Sequence, residues 1–172
     1  MQFVGIFFFF LLGTLFGSFA NVVLSRLPRG ESLLFPRSRC DSCQKTLAWF
    51  DLIPIASFIL LRGRCRYCQM LLSPTEPIVE LLSGGLFIVS YLRFGWSFTS
   101  IGTGIFLVLL LIITILDLRE KVIYTIFLPV GILLALIWTP FWQDPSSHLL
   151  GAEWGSALFC LIRISGTRIF RR

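Results

Sequence analysis

Long apolar runs interrupted by one polar stretch set the layout of this chain. Residues 3–24, FVGIFFFFLLGTLFGSFANVVL, are apolar for long enough to cross a bilayer as a helix. The run has no basic stretch before it and is longer than the apolar part of a cleaved leader, so a retained helix is expected. Gly13 and Gly17 within it form a G-x-x-x-G pair, a spacing that permits close helix packing. Apolar runs at 77–92, 99–116, 122–139 and 148–162 predict further spans, joined by the short polar stretches RFGWS, DLREK and FWQDPSSH. The predicted fold is an all-α polytopic membrane protein with about five transmembrane helices. Its predicted parts are a first helix over 1–25, a polar insert over 26–76 and a membrane domain over 77–172.

The insert breaks the pattern. Within it only residues 47–61, LAWFDLIPIASFILL, are continuously apolar, and Asp51 and Pro54 interrupt them. That stretch is too short for a span and reads as interfacial or packed on its surroundings.

Composition supports the membrane reading. Of 172 residues, 56% are hydrophobic and the mean hydropathy is +0.85, too apolar for a soluble globule of this size. The formal charge of +6 does not require nucleic acid, and none is expected as a partner, because loops on the cytoplasmic side of a membrane gather Lys and Arg. The insert carries Arg26, Arg29, Arg37, Arg39, Lys45, Arg62, Arg64 and Arg66 against Glu31, Asp41, Asp51 and Glu76. With the insert placed in the cytoplasm, every inner segment is richer in positive charge than its outer neighbours: RFGWS has one Arg, DLREK two basic residues, FWQDPSSH no Lys or Arg, and the tail RISGTRIFRR four Arg. The expected topology is N-terminus outside, insert and C-terminus inside.

The insert also holds the strongest chemical signal. RCDSCQKTL at 39–47 and RCRYCQMLL at 64–72 place Cys40, Cys43, Cys65 and Cys68 in a C-x2-C-x21-C-x2-C pattern, with Cys160 left alone in an apolar run. Two such turns bring four thiolates to one centre, which suits tetrahedral zinc and leaves no open coordination position. A structural metal is therefore expected, with Arg39, Lys45, Arg64 and Arg66 offsetting the negative charge of the site. Asp117 ends the run FLVLLLIITIL. An ionisable residue there reads equally as a functional group or as the polar end of a span.

The order of these pieces resembles bacterial type IV prepilin peptidases: the glycine-serine turn before Asn21, the RLP step at Arg26–Pro28, both cysteine pairs, and PIVELL at Pro77–Leu82. The likeness is close over about 10–90 and looser over 100–164. It implies an inner-membrane aspartyl endopeptidase that removes the short basic leader of prepilins or pseudopilins at the cytoplasmic face, and in many members then methylates the new N-terminus with S-adenosylmethionine. By position, Asp117 in ILDLREKVIYT matches the family's first catalytic Asp. The chain also departs from the family. Ile123, Tyr124 and Thr125 stand where an Ile-Pro-Asp step is usual, Glu76 stands where an aromatic is common, and the Gly-x-Gly-Asp motif that brings the second catalytic Asp does not occur. A one-carboxylate dyad cannot share a proton, so two expectations stand. The chain is a peptidase that takes its second carboxylate from Asp51 or from another chain, or it is a truncated, non-catalytic homologue that binds prepilins or assembly proteins without cutting. Neither reading draws an S-adenosylmethionine site from the residues, which contain no phosphate-cradling glycine fingerprint.

Overall fold

A computed structural model describes residues 2–40, 42–120 and 127–138. The chain divides into two compact units, Met1–Leu134 and Ala135–Arg172, and the fold below is that of the first. It is all-helical. Helix α1 covers Gln2–Arg26, the short α2 covers Ala56–Leu60, α3 covers Thr75–Phe94, α4 covers Phe98–Glu120 and α5 covers Phe127–Trp138. Among the described residues three helices, α1, α3 and α4, are long and apolar enough to cross a membrane. The expected spans at 77–92 and 99–116 thus appear as α3 and α4. The run at 122–139 is described only as α5, and the run at 148–162 lies outside the described residues, as does Cys160.

α1 packs along α3 because both helices present small residues at the seam. A Cβ built on Gly13 would stand 2.6 Å from the Ser83 carbonyl oxygen, and one on Gly17 would stand 2.7 Å from Glu80 Cα. Only glycine permits the two backbones to approach this far. Beyond the seam, rings stack across the same pair of helices: Phe9 on Tyr91 at 4.8 Å between centroids and Phe16 on Phe87 at 5.4 Å. α4 completes the core with Val108, Ile112 and Leu116.

The link between α3 and α4 is a tight polar turn. Gly95 takes a positive φ of 66° and bonds back to Tyr91. Ser97 then caps α4, its hydroxyl accepting the Ser100 N–H at 3.2 Å. Buried Ser90 donates to the Ser100 carbonyl at 2.6 Å, which locks the turn onto α3.

Glu76 fits the start of α3 well. It lies in the first turn, where a carboxylate complements the helix dipole, and its carbonyl accepts the Asn21 side-chain amide at 3.0 Å. The non-aromatic residue therefore leaves a regular helix start tied to α1.

Candidate metal centre and adjoining cleft

The two cysteine pairs fold into the same local structure twice. In the first, Cys40 N–H donates to the Lys45 carbonyl at 3.0 Å and Gln44 N–H to the Cys40 carbonyl at 2.8 Å. In the second, Cys65 N–H donates to Met70 at 2.9 Å and Gln69 N–H to Cys65 at 3.0 Å. Gln44 and Gln69 both adopt φ of 58°, the left-handed step that turns the chain under the second cysteine. A single bridge closes each hairpin, Arg39 with Thr46 and Arg64 with Leu71. The likeness of RCDSCQKTL to RCRYCQMLL is thus a repeat of backbone geometry as well as of letters.

These turns bring Cys40, Cys43, Cys65 and Cys68 together, with all four sulfurs within 4.8 Å of one another and none in a disulfide. Cys40 Sγ and Cys68 Sγ are 3.7 Å apart. Sulfurs at about 2.3 Å from a tetrahedral zinc would be separated by about 3.8 Å, so the donor set fits such an ion. Cys40 and Cys65 are buried, Cys43 is partly buried and Cys68 is exposed. The backbone N–H groups of Cys68 and Tyr67 face Cys65 and hold its thiol down at about 7, favouring the thiolate. The backbone of Met70 acts in the same direction on Cys68, but partial desolvation on its cluster side and the neighbouring thiols of Cys65, Cys43 and Cys40 outweigh it and push that thiol up to about 11.

The surrounding cations brace the insert. Lys45 Nζ lies 5.3 Å from the centre of the Tyr67 ring, joining the first pair to the second. Arg66 donates to Asp51 Oδ1 at 2.8 Å and sits over Phe50 at 4.8 Å. The other Asp51 oxygen accepts the Ala48 N–H at 3.2 Å. The Asp51 side chain is 2% exposed and is committed to holding the 49–52 turn against the second pair. That structural task speaks against Asp51 as a catalytic partner for Asp117.

Two further contacts secure the insert to the helices. Arg26, at the end of α1, donates to the carbonyls of Ser32 and Pro36 at 2.9 and 2.7 Å. Glu80, buried in α3, accepts the Ile55 N–H at 2.7 Å. Nothing in the spacing of apolar positions singles out Glu80. Its one sequence signal is a carboxylate inside a span, which is costly unless it is used.

Between the insert and the ends of α1, α3 and α4 lies an open cleft of about 700 Å³, within the range of small-molecule sites. Asn21, Arg37, Glu76, Glu80 and Arg119 line it, and Cys40 and Cys65 back it from the metal side. Asp117 is exposed on the last turns of α4, two residues from Arg119 and not itself part of the lining. Asp41 and Asp144 lie outside the described residues.

Residues 11–94 match the model of the bacterial peptidase A24 N-terminal domain. The chain is 36% identical over 167 residues to the prepilin leader peptidase/N-methyltransferase of Myxococcus xanthus, covering 96% of this chain and 50% of that protein. It is 40% identical over 137 residues to that of Klebsiella pneumoniae, covering 76% and 58%. It is 29% identical over 190 residues to that of Vibrio cholerae, covering 100% and 72%. The chain therefore spans about half the length of the first two relatives. No solved structure matches it. The cysteine-bearing insert and these alignments agree: residues 11–94 carry the bacterial peptidase A24 N-terminal domain, and along most of its length the chain is similar to prepilin leader peptidase/N-methyltransferases.

Proposed function

We propose that this chain contributes the metal-clamped N-terminal part and one carboxylate, Asp117, of a membrane aspartyl endopeptidase acting on prepilins or pseudopilins. The observation that carries this reading is the alignment to the Myxococcus xanthus relative, which runs through 96% of the chain and so includes Asp117. Aspartyl chemistry uses two carboxylates that share a proton, one activating water and the other protonating the scissile carbonyl. Asp51 is committed to Arg66 and Ala48, so the second carboxylate comes from outside the described residues or from a second chain. The insert faces the cytoplasm, and a basic leader followed by an apolar helix would meet the protein where the cleft opens beside Arg119.

The metal in this reading is zinc, held by Cys40, Cys43, Cys65 and Cys68 in a closed, structural site. S-adenosylmethionine belongs to the family's methyl transfer. No motif among the described residues marks where it would bind, and no step is assigned to it. The second reading is a non-catalytic homologue that binds prepilins without cutting them.

The two readings part in a host stripped of its own prepilin peptidase. The chain is produced there with a prepilin, alone and with a family segment bearing Gly-x-Gly-Asp, and leader removal is followed by mass. Cleavage that depends on the added segment and disappears with Asp117→Asn is expected. Cleavage unchanged by Asp117→Asn, or no cleavage under either condition, overturns the catalytic role of Asp117.

A further inference from the structure

The chain between the two cysteine pairs is tied to a long apolar helix, α3, rather than standing clear of it. Glu80 stands five residues beyond Thr75, the first residue of α3, which at 1.5 Å per residue is about 7.5 Å along the helix axis. α3 is one of the helices long and apolar enough to cross a membrane. The bond from Ile55 N–H to Glu80 therefore fixes the start of α2 beside the second turn of a span. Ile55 holds φ 60° and ψ −48° to make this bond, a conformation disfavoured for a β-branched residue.

From this anchor the chain exposes apolar side chains. Ile53 is 43% exposed, Ile59 67% and Leu60 81%. Leu71, 72% exposed, flanks them, because Leu72 N–H bonds to the Gly63 carbonyl and draws the second hairpin alongside. Arg62 and Arg64 follow immediately, both exposed. Among the described residues no carboxylate lies within ion-pair distance of either.

We propose that Leu52–Arg64 is an interfacial anchor. Ile53, Ile59 and Leu60 are immersed in the leaflet on the insert's side of the membrane, and Arg62 and Arg64 engage the phosphates of anionic phospholipid headgroups. The rise of about 7.5 Å from the start of α3 to Glu80 is of the same order as the roughly 5–10 Å to which interfacial segments bury their apolar faces. Arginines directly after the apolar stretch reach outward to the headgroups while their stems stay among acyl chains. The bilayer is the occupant because the segment is pinned to a helix long and apolar enough to cross it, and because its exposed arginines match an anionic lipid surface. The anchor holds the metal-clamped insert and its cleft at a fixed height over the membrane, whether or not the chain cuts a substrate.

A photoreactive benzophenone side chain tests this. Leu60→p-benzoylphenylalanine, and in a second variant Ile59→p-benzoylphenylalanine, are introduced into the full chain. Each is reconstituted in nanodiscs of phosphatidylcholine with or without phosphatidylglycerol, irradiated and analysed by mass spectrometry. The same label at Leu15, an exposed residue of α1, reports a lipid-facing site, and retained metal content reports folding. Phospholipid adducts at 60 and 59 comparable to those at 15 are expected. Phosphatidylglycerol should be enriched several-fold over its share of the lipid, and Arg62→Gln with Arg64→Gln should abolish that enrichment. Adducts at 15 but not at 59 or 60 overturn the anchor. Adducts to a second copy or to an added prepilin in place of lipid overturn the bilayer as its occupant. Enrichment that survives the double Arg→Gln change overturns the headgroup role.

Discussion

Glu80 and Asp51 illustrate how much a single carboxylate can do through one backbone N–H. Glu80 is 8% exposed and satisfies Ile55, a residue 25 positions away in sequence. Glu80→Ala leaves that N–H without its acceptor, and the expected loss is about 1–3 kcal/mol. Glu80→Gln retains an acceptor oxygen and should lose markedly less. Thermal unfolding of the detergent-solubilised chain checks the order, and equal losses for the two variants would show that the bond is unimportant. Asp51 holds Arg66 and Ala48 in the same fashion. Asp117 was visible in sequence because an apolar run ends on it. The commitments of Glu80 and Asp51 were not, because they depend on contacts across 25 and 15 residues that leave no local pattern.

At the scale of elements, the paired hairpins follow directly from the sequence. Each C-x2-C turn repeats the same hydrogen bonds and the same positive-φ glutamine, so ligand type and spacing are enough to mark the site in the sequence. With few ladder bonds of its own, the insert draws much of its order from whatever the four thiols bind. Metal binding and folding are then coupled. One zinc per chain is expected by elemental analysis, falling strongly in Cys65→Ser. Removal of the metal with a chelator should speed tryptic cleavage after Arg39 and Arg64 by several-fold while the helical circular dichroism changes little. An apoprotein as resistant as the metal-bound form would argue that the hydrogen bonds alone hold the insert. The short α2 shows the limit of pattern reading. LAWFDLIPIASFILL is correctly too short to span, but its place beside α3 is set by Glu80, not by its own hydropathy.

The whole molecule depends on how closely α1 and α3 approach. Gly17 faces Glu80 Cα and Gly13 faces the Ser83 backbone, whereas nothing lies within 4 Å of a Cβ built on Gly85. Gly17→Leu forces the helices apart at a cost of about 1–3 kcal/mol. It also displaces Glu80, so the insert should loosen with the seam. Gly85→Ala, in the same helix bundle, should be neutral or stabilising by up to about 1 kcal/mol. Melting temperatures of the two variants in one detergent check this, and similar losses would mean that the seam is not the point of contact.

The sequence alone determined the features that local chemistry encodes. Run length set the positions of α3 and α4, the glycine pair marked the seam, four cysteines at fixed spacing defined a metal set, and the order of the motifs pointed to the family. Tertiary structure decided which charged groups are already in use and where the insert is tied to the helices. It assigned Asp51 to a structural bond, Glu80 to the anchoring of Ile55, and Lys45 and Arg66 to bracing the two cysteine pairs. Hydrophobic runs and ligand spacings act between near neighbours and so can be read along the chain. A buried carboxylate finds its partner only after distant segments have packed, and its role is therefore a property of the fold.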